Sequence, residues 1–232
     1  VYDIKPGDRV VSNGSHSEYV AISKNLVQKV PNDVKNEDAV FTVIGSIALQ
    51  GIRLCNPTYG EKIVVIGLGL VGLITVQLLK ANGCDVIGID YDKNKCDIAK
   101  SYGATIINPA KEDVVQVVNN QTKMIGADAV IIAAATKSND VISQAANISR
   151  KKGRIILVGV VGLDINRADF YEKELTFQVS CSYGPGRYDK EYEEEGNDYP
   201  LAYVRWTEKR NFECILDSIS EKKLNFEKLI TE

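Results

Sequence analysis

Residues 62–81 read KIVVIGLGLVGLITVQLLKA. Lys62 to Ile66 is a short apolar run rich in β-branched side chains, the pattern of a strand buried on both faces. Leu70 to Ala81 has the length and spacing of a helix, and Asn82-Gly83 ends it. Between them lies Gly67-Leu68-Gly69-Leu70-Val71-Gly72. A lone G-x-G-x-x-G string is a weak signal, but a strand before it and a helix after it supply the context it requires. Gly67 permits the tight turn, Gly69 lets a pyrophosphate approach the backbone, and Gly72 lets helix and strand pack closely. The helix start, with Leu70 and Val71 in its first turn, offers free N–H groups and a partial positive charge to phosphates.

Downstream, Asp85 to Ile89 reads as a second strand, followed by Asp90, 18 residues after Gly72. A carboxylate there accepts hydrogen bonds from both hydroxyls of an adenosine ribose. Lys95, on a helix over Lys93 to Ser101, is placed to touch ribose or phosphate; a solvated helix lysine is an equal reading. Ala104 to Ile107 reads as a third strand, and a helix follows from Lys111 to about Asn120. Ala127 to Ala133 is a fourth strand, and the small residues Ala133, Ala134, Ala135 and Thr136 at its end leave room for an adenine. Ser138-Asn139-Asp140 caps a helix that turns Val141, Ile142, Ala145, Ala146 and Ile148 inward. Ile155 to Val158 is a fifth strand, and Val158 and Val160 at its end are candidates for a nicotinamide wall, since ligands of open α/β sheets sit at carboxyl strand ends. Leu175 to Ser180 alternates and reads as a sixth. Strands separated by helices predict an α/β fold with a doubly wound parallel sheet of the Rossmann kind.

The 232-residue chain is 44% hydrophobic and 25% charged with net charge −3, an ordinary globular composition. No basic face is evident, so nucleic acid is not an expected partner. The longest apolar run, Ile63 to Val76, has 14 residues, short of the roughly 20 a membrane span needs, and no membrane partner is expected. No signal peptide is read at the start. The chain starts at Val1 and its only methionine is Met124, which reads as a piece of a longer chain. Cys55, Cys84, Cys96, Cys181 and Cys214 are odd in number and widely spaced, so free thiols and a cytoplasmic location are expected. With His16 as the single histidine, placed in a surface turn, no metal site is expected.

The flanks differ from the middle. Pro6-Gly7-Asp8 and Asn13-Gly14 are turn signals around short strands at Arg9–Val11 and Glu18–Ala21. Gly184-Pro185-Gly186 opens a loop, and Asp189 to Asp198 carries six acids against Lys190, the composition of a solvated loop. Helical spacing returns over Asn211 to Ser220.

Several strings occur in a telling order: P-G-D-R-V at Pro6 to Val10, S-E-Y-V at Ser17 to Val20, L-V-Q-K-V-P at Leu26 to Pro31, the glycine run, Y-G-A-T at Tyr102 to Thr105, and L-V-G-V at Leu157 to Val160. Together they resemble the medium-chain dehydrogenase/reductase family, the zinc-type alcohol dehydrogenase relatives. Ser182 to Asp189 with Tyr203 to Glu208 is similar to a narrower subgroup, bi-domain oxidoreductases of bacterial polysaccharide clusters with a second oxidoreductase domain fused downstream. The resemblance implies a Rossmann domain at 44–186, the last strands of a GroES-like catalytic domain at 1–43, and a return to that domain at 187–232, with Leu229-Ile230-Thr231 stopping short of the family's end. It implies a catalytic zinc ligand at Thr42, where a hydroxyl is a poor donor. It also places Ser46 beside the nicotinamide, a helix-face serine being an equal reading, and brings the Tyr183 backbone N–H to the carboxamide. Arg187, Arg205, Trp206 and Arg210 are candidates for recognising an anionic sugar nucleotide, against a reading of surface and interface packing.

The function so implied is an NAD(H)-dependent oxidoreductase moving a hydride between nicotinamide and an alcohol or carbonyl carbon. Its substrate is a small molecule such as a sugar derivative, and it works as a homodimer. The piece at hand carries mainly the cofactor part and is expected to be inactive alone. No catalytic residue is assigned. The alternatives are a nucleotide-binding module without turnover and a zinc-free enoyl or quinone reductase.

Overall fold

The computed structural model describes residues 4–230; Val1 and Thr231, which the sequence reading touched, lie outside them. The chain divides into two compact units, one of Val1–Gln50 with Cys181–Glu232 and one of Gly51–Ser180. The sequence reading divides the chain at 43/44 and 186/187; the compact units divide it at 50/51, inside a helix, and at 180/181.

The flank unit opens with β1 (Val10–Ser12) and β2 (Val27–Lys29), an antiparallel pair with Val10 opposite Lys29. The strand expected at Glu18–Ala21 does not form. All four of those residues are exposed, so their alternation has no core to face, and Val27 and Gln28, half-buried, supply the partner strand instead. A one-turn α1 (Asn36–Ala39) leads to α2 (Thr42–Cys55).

The sheet unit alternates strand and helix: β3 (Lys62–Ile66), α3 (Leu70–Ala81), β4 (Asp85–Ile89), α4 (Lys93–Ser101), β5 (Thr105–Ile107), α5 (Val114–Gln121), β6 (Ala127–Ile132), α6 (Asp140–Ile148), β7 (Ser149–Leu157), α7 (Arg167–Tyr171) and β8 (Thr176–Val179). The six strands pair in parallel in the order β5-β4-β3-β6-β7-β8. The order reverses between β3 and β6, the switch point where such sheets open a crevice. Val64, Ile87, Val130, Ile132 and Ile155 lie in its core, as strands apolar on both faces require.

Two element starts in the sheet unit differ from the sequence reading by three residues or more. Helix α5 begins at Val114, because the Asn108 side chain accepts from the Ala110 N–H at 2.9 Å and holds the preceding residues in a turn, while Asp113 caps the helix by accepting from the Gln116 N–H at 3.0 Å. Strand β7 begins six residues earlier than Ile155, directly after α6. Lys173 holds that junction: its Nζ donates to the carbonyls of Ala146, Asn147 and Ser149 at 2.9, 2.7 and 2.9 Å, satisfying groups a helix end leaves open.

The chain then returns to the flank unit through α8 (Lys190–Glu193) and α9 (Glu208–Ser220). Within that unit the N- and C-terminal stretches pack as one. Phe41 stacks on Phe226 with ring centres 4.4 Å apart, and Asn25 Nδ2 donates to the Tyr192 carbonyl at 2.8 Å. No helix among the described residues is long and apolar enough to cross a membrane.

Candidate functional site

The site starts where β3 ends. The Gly67 N–H donates to the Ile89 carbonyl at 2.9 Å, and its φ of +90° is a conformation only glycine adopts freely. A Cβ there would stand 2.7 Å from Ala134 Cα. A Cβ on Gly72 would stand 1.9 Å from the Gly67 carbonyl oxygen, so loop and helix touch through a missing side chain. Gly69 is the opposite case: it is the N-cap of α3, no side chain caps it, and a Cβ would meet nothing within 4 Å. The first amide of α3 to find an acceptor is Leu73, at 2.8 Å from the Gly69 carbonyl. The N–H groups of Leu70, Val71 and Gly72 have none among the described residues. Open space beside unclaimed amides at a helix start is a cradle for an anionic group.

Asp90 follows β4. One carboxylate oxygen accepts from the Leu68 N–H at 2.7 Å and the other from the Asp92 N–H at 2.9 Å. Both oxygens therefore already serve the backbone, a role sequence reading missed; each keeps a further acceptor position for a hydroxyl. Gly67, Asp90 and Ala134 line one cleft of about 380 Å³ with an apolar floor that includes Ile66 and Ile89. Tyr91, Pro109, Thr136 and Ser138 also line it, as do Asp140, Val141 and Gln144 of α6, and no lysine or arginine does.

The other expected contacts fall outside that lining. Lys95 is half-buried on α4. Val158 lies against Gly51, where a Cβ would come within 2.5 Å of it. Val160 is 75% exposed and bridges to Ala135 just beyond the strand ends. Ser46 and Tyr183 belong to the flank unit. Ser46 is fully buried and its hydroxyl donates to the Thr42 carbonyl at 2.8 Å, so its one proton is used within the helix. Tyr183 is buried, its hydroxyl accepts from Asn13 at 2.7 Å, and its backbone N–H meets no acceptor among the described residues.

The arginines read as anion contacts are already engaged. Arg187 donates to both oxygens of Glu193 at 2.7 and 3.0 Å, Arg210 pairs with Asp198, and Arg205 stacks 3.8 Å over the Trp206 ring. The acidic stretch, expected as a solvated loop, is folded by these pairs and by Tyr199, whose hydroxyl donates to Asp189. What sequence reading missed is Glu208. It is fully buried, and neither carboxylate oxygen has a hydrogen-bond partner. Burial, with Glu193 next in effect, pushes its pKa up to about 8. A glutamate opening a helix carries no sequence mark of such burial.

The zinc implied by the resemblance does not fit these residues. Thr42 is fully buried and its hydroxyl donates to the Ala39 carbonyl at 2.6 Å. Among the described residues no group of three or more His, Cys, Asp or Glu side chains could hold a metal ion.

A six-stranded parallel sheet with this strand order, opened at the β3–β6 crevice by a glycine turn, is a Rossmann-like α/β fold. The profile of the zinc-binding dehydrogenases matches residues 71–196, and the chain belongs to that family, the medium-chain dehydrogenase/reductases. It is 31% identical over 241 aligned positions to D-guloside 3-dehydrogenase of Escherichia coli K12, covering 99% of this chain and 64% of that protein. The chain thus spans less than two thirds of that relative's length. Galactitol-1-phosphate dehydrogenase of E. coli superposes over the whole chain and 71% of its own length with TM-score 0.81 at 20% identity. Two ligand-bound structures share the fold. A short chain alcohol dehydrogenase of E. coli CFT073 holding NADH matches 90% of this chain and 55% of its own (TM-score 0.71, 23% identity). A Sinorhizobium meliloti 1021 protein assigned to the zinc-binding dehydrogenases and bound to NADP matches 100% and 71% (TM-score 0.77, 20% identity).

Proposed function

We propose that this chain is the cofactor-binding part of an NAD(H)-dependent oxidoreductase that interconverts an alcohol and a carbonyl on a small molecule, a sugar or sugar derivative. The observation that carries the reading is the pairing of three unclaimed amides at the open Gly69 corner with the Asp90 carboxylate at the edge of the neighbouring cleft. A pyrophosphate takes the amides, and the adenosine ribose takes the acceptor positions Asp90 has left. A nicotinamide dinucleotide supplies the hydride chemistry when bound; the chain's own residues bind and orient it. The sugar substrate rests on the relatives' names, D-guloside 3-dehydrogenase and galactitol-1-phosphate dehydrogenase. In this reading residues 44–186 form the nucleotide domain and the flanks belong to a catalytic domain. The free edge of β8 is the pairing surface of a homodimer.

NAD(H) is favoured over NADP(H) by charge. A 2′-phosphate adds about −2 charge, and the cleft meets it with Asp90 and Asp140 and no cation in its lining. Calorimetric titration should show at least tenfold tighter binding of NAD than NADP, about 1.4 kcal/mol. Asp90→Ala should weaken NAD and narrow the ratio. Equal or tighter NADP binding by the unmutated chain overturns the assignment.

A second reading, a nucleotide-binding module without turnover, is favoured by Thr42, whose hydroxyl is occupied in place of a metal ligand. Turnover of the longer protein with sugar alcohols separates the two. A zinc-free enoyl or quinone reductase also suits Thr42, but such enzymes usually pair with NADPH, which Asp90 opposes.

A further inference from the structure

The cleft has a polar end that the pyrophosphate and ribose leave unexplained. Asp140, Val141 and Gln144 lie on the first turns of α6 and all line it. Gln144 stands four residues after Asp140 and three after Val141, the spacings that share a helix face, so the three form one wall. One Asp140 oxygen accepts from the Ser138 hydroxyl at 2.8 Å, and the other has no donor among the described residues. Gln144 is half-buried, and its amide has no partner among the described residues. Val141 gives the wall an apolar patch, and Tyr91 and Pro109 line the same cleft with flat apolar surface. The wall thus offers an exposed carboxylate held on one side by Ser138, an amide that can both donate and accept, and room for a flat ring.

We infer that Asp140 and Gln144 read the 6-amino edge of the adenine in the bound dinucleotide, with Asp140 as the residue that tells a 6-amino purine from a 6-oxo purine. This rests on the dinucleotide reading above. Adenine presents N–H donors at C6 beside a ring-nitrogen acceptor. An ionised carboxylate only accepts, so Asp140 suits the amino group and repels an oxygen in its place. The Gln144 amide can turn over and suit either purine, so it adds affinity without choosing. A first-turn acid also complements the helix dipole, but that accounts for the charge of Asp140 and leaves the unpaired Gln144 amide beside it unexplained.

The test is calorimetric titration of the full chain with NAD and with its 6-oxo analogue, nicotinamide hypoxanthine dinucleotide. NAD should bind about tenfold tighter, the effect of one hydrogen bond to a charged group. In Asp140→Asn the amide can turn and donate to the 6-oxo group, so the ratio should fall to near one with little change in melting temperature. Gln144→Leu, which leaves the helix start untouched, should weaken both ligands several-fold and keep the ratio. Equal binding of the two by the unmutated chain, with Asp90→Ala still weakening both, overturns this inference and leaves the cofactor reading standing. A tenfold ratio that survives Asp140→Asn also overturns it. Binding of neither dinucleotide overturns both readings.

Discussion

Two stretches look equally rich in chemistry as sequence: the glycine run at 67–72, and the arginine and acid run at 187–210. Folded, they are opposites. In the first, the groups left open are backbone amides, and the residues around them are notable for the side chains they lack. In the second, the charged side chains are turned on one another, Arg187 on Glu193 and Arg210 on Asp198, and Glu208 is sealed away with nothing to bond. Backbone amides at a glycine turn stay open on folding, because glycine has no side chain that reaches out to satisfy its own neighbours. A side-chain site is decided by partners that the fold brings up, and for Arg187 and Arg210 those partners are carboxylates of the same stretch.

The contrast can be broken most forcefully at Gly72. With a Cβ placed 1.9 Å from the Gly67 carbonyl, Gly72→Ala must push the turn out of shape. We expect dinucleotide affinity to fall at least a hundredfold by calorimetry, with a stability loss of about 1–3 kcal/mol. Wild-type affinity in this variant would show that the missing side chain is not what makes the site.

Glu208 sharpens the other half. Its carboxyl titrates near 4.5 in the unfolded chain and near 8 when folded. Between those values the folded chain holds a proton that the unfolded chain has lost. The stability it contributes is therefore fully present below pH 4.5, falls as pH rises, and is gone above about 8. The titratable groups that bear on it are Arg187 and Glu193, and it bears in turn on Tyr183, Tyr192 and Tyr199. Glu208→Gln should flatten that slope and gain a few kcal/mol above pH 8. Denaturant midpoints from pH 5 to 9 measure it, and parallel slopes in the two proteins would mean the carboxyl is not buried unpaired.

The smallest effect separates architecture from site within the sheet unit. Lys173→Met removes three hydrogen bonds from the end of α6 and should cost about 1–3 kcal/mol while leaving dinucleotide affinity within twofold. A melting curve and a titration on the same sample check it; an affinity loss as large as that of Gly72→Ala would merge what we hold apart.

What sequence could and could not reveal follows the same line. Strand β3, helices α3 and α4 and strand β4 have the bounds their own residues indicate, because buried β-branched runs and cap residues are local signals. Strand β7 starts early because Lys173, twenty-four residues beyond Ser149, holds the α6 end in place. The spacing from the glycines marked Asp90 as a candidate ribose acceptor, but its bonds to the Leu68 and Asp92 N–H groups were not legible, since nothing in spacing says which N–H a carboxylate turns toward. Glu37 and Glu208 are the same letter near helix starts; one is exposed and the other fully buried, and only long-range packing distinguishes them. The strand expected at Glu18–Ala21 failed for the converse reason: alternation without a core.

The bond from the Leu68 N–H to Asp90 bears on redesign. A common route to swapping cofactor preference is to replace the acid after the second strand of the sheet and bring in a cation. On the cofactor reading proposed above, that acid is also the strut of the glycine turn, so selectivity and loop shape cannot be altered one at a time. Asparagine keeps an oxygen for the Leu68 N–H while giving up the charge and the bond from the Asp92 N–H, which makes Asp90→Asn a gentler first step than Asp90→Ala, which loses both bonds. Any added arginine must then come from a neighbouring position such as Tyr91, which already borders the cleft.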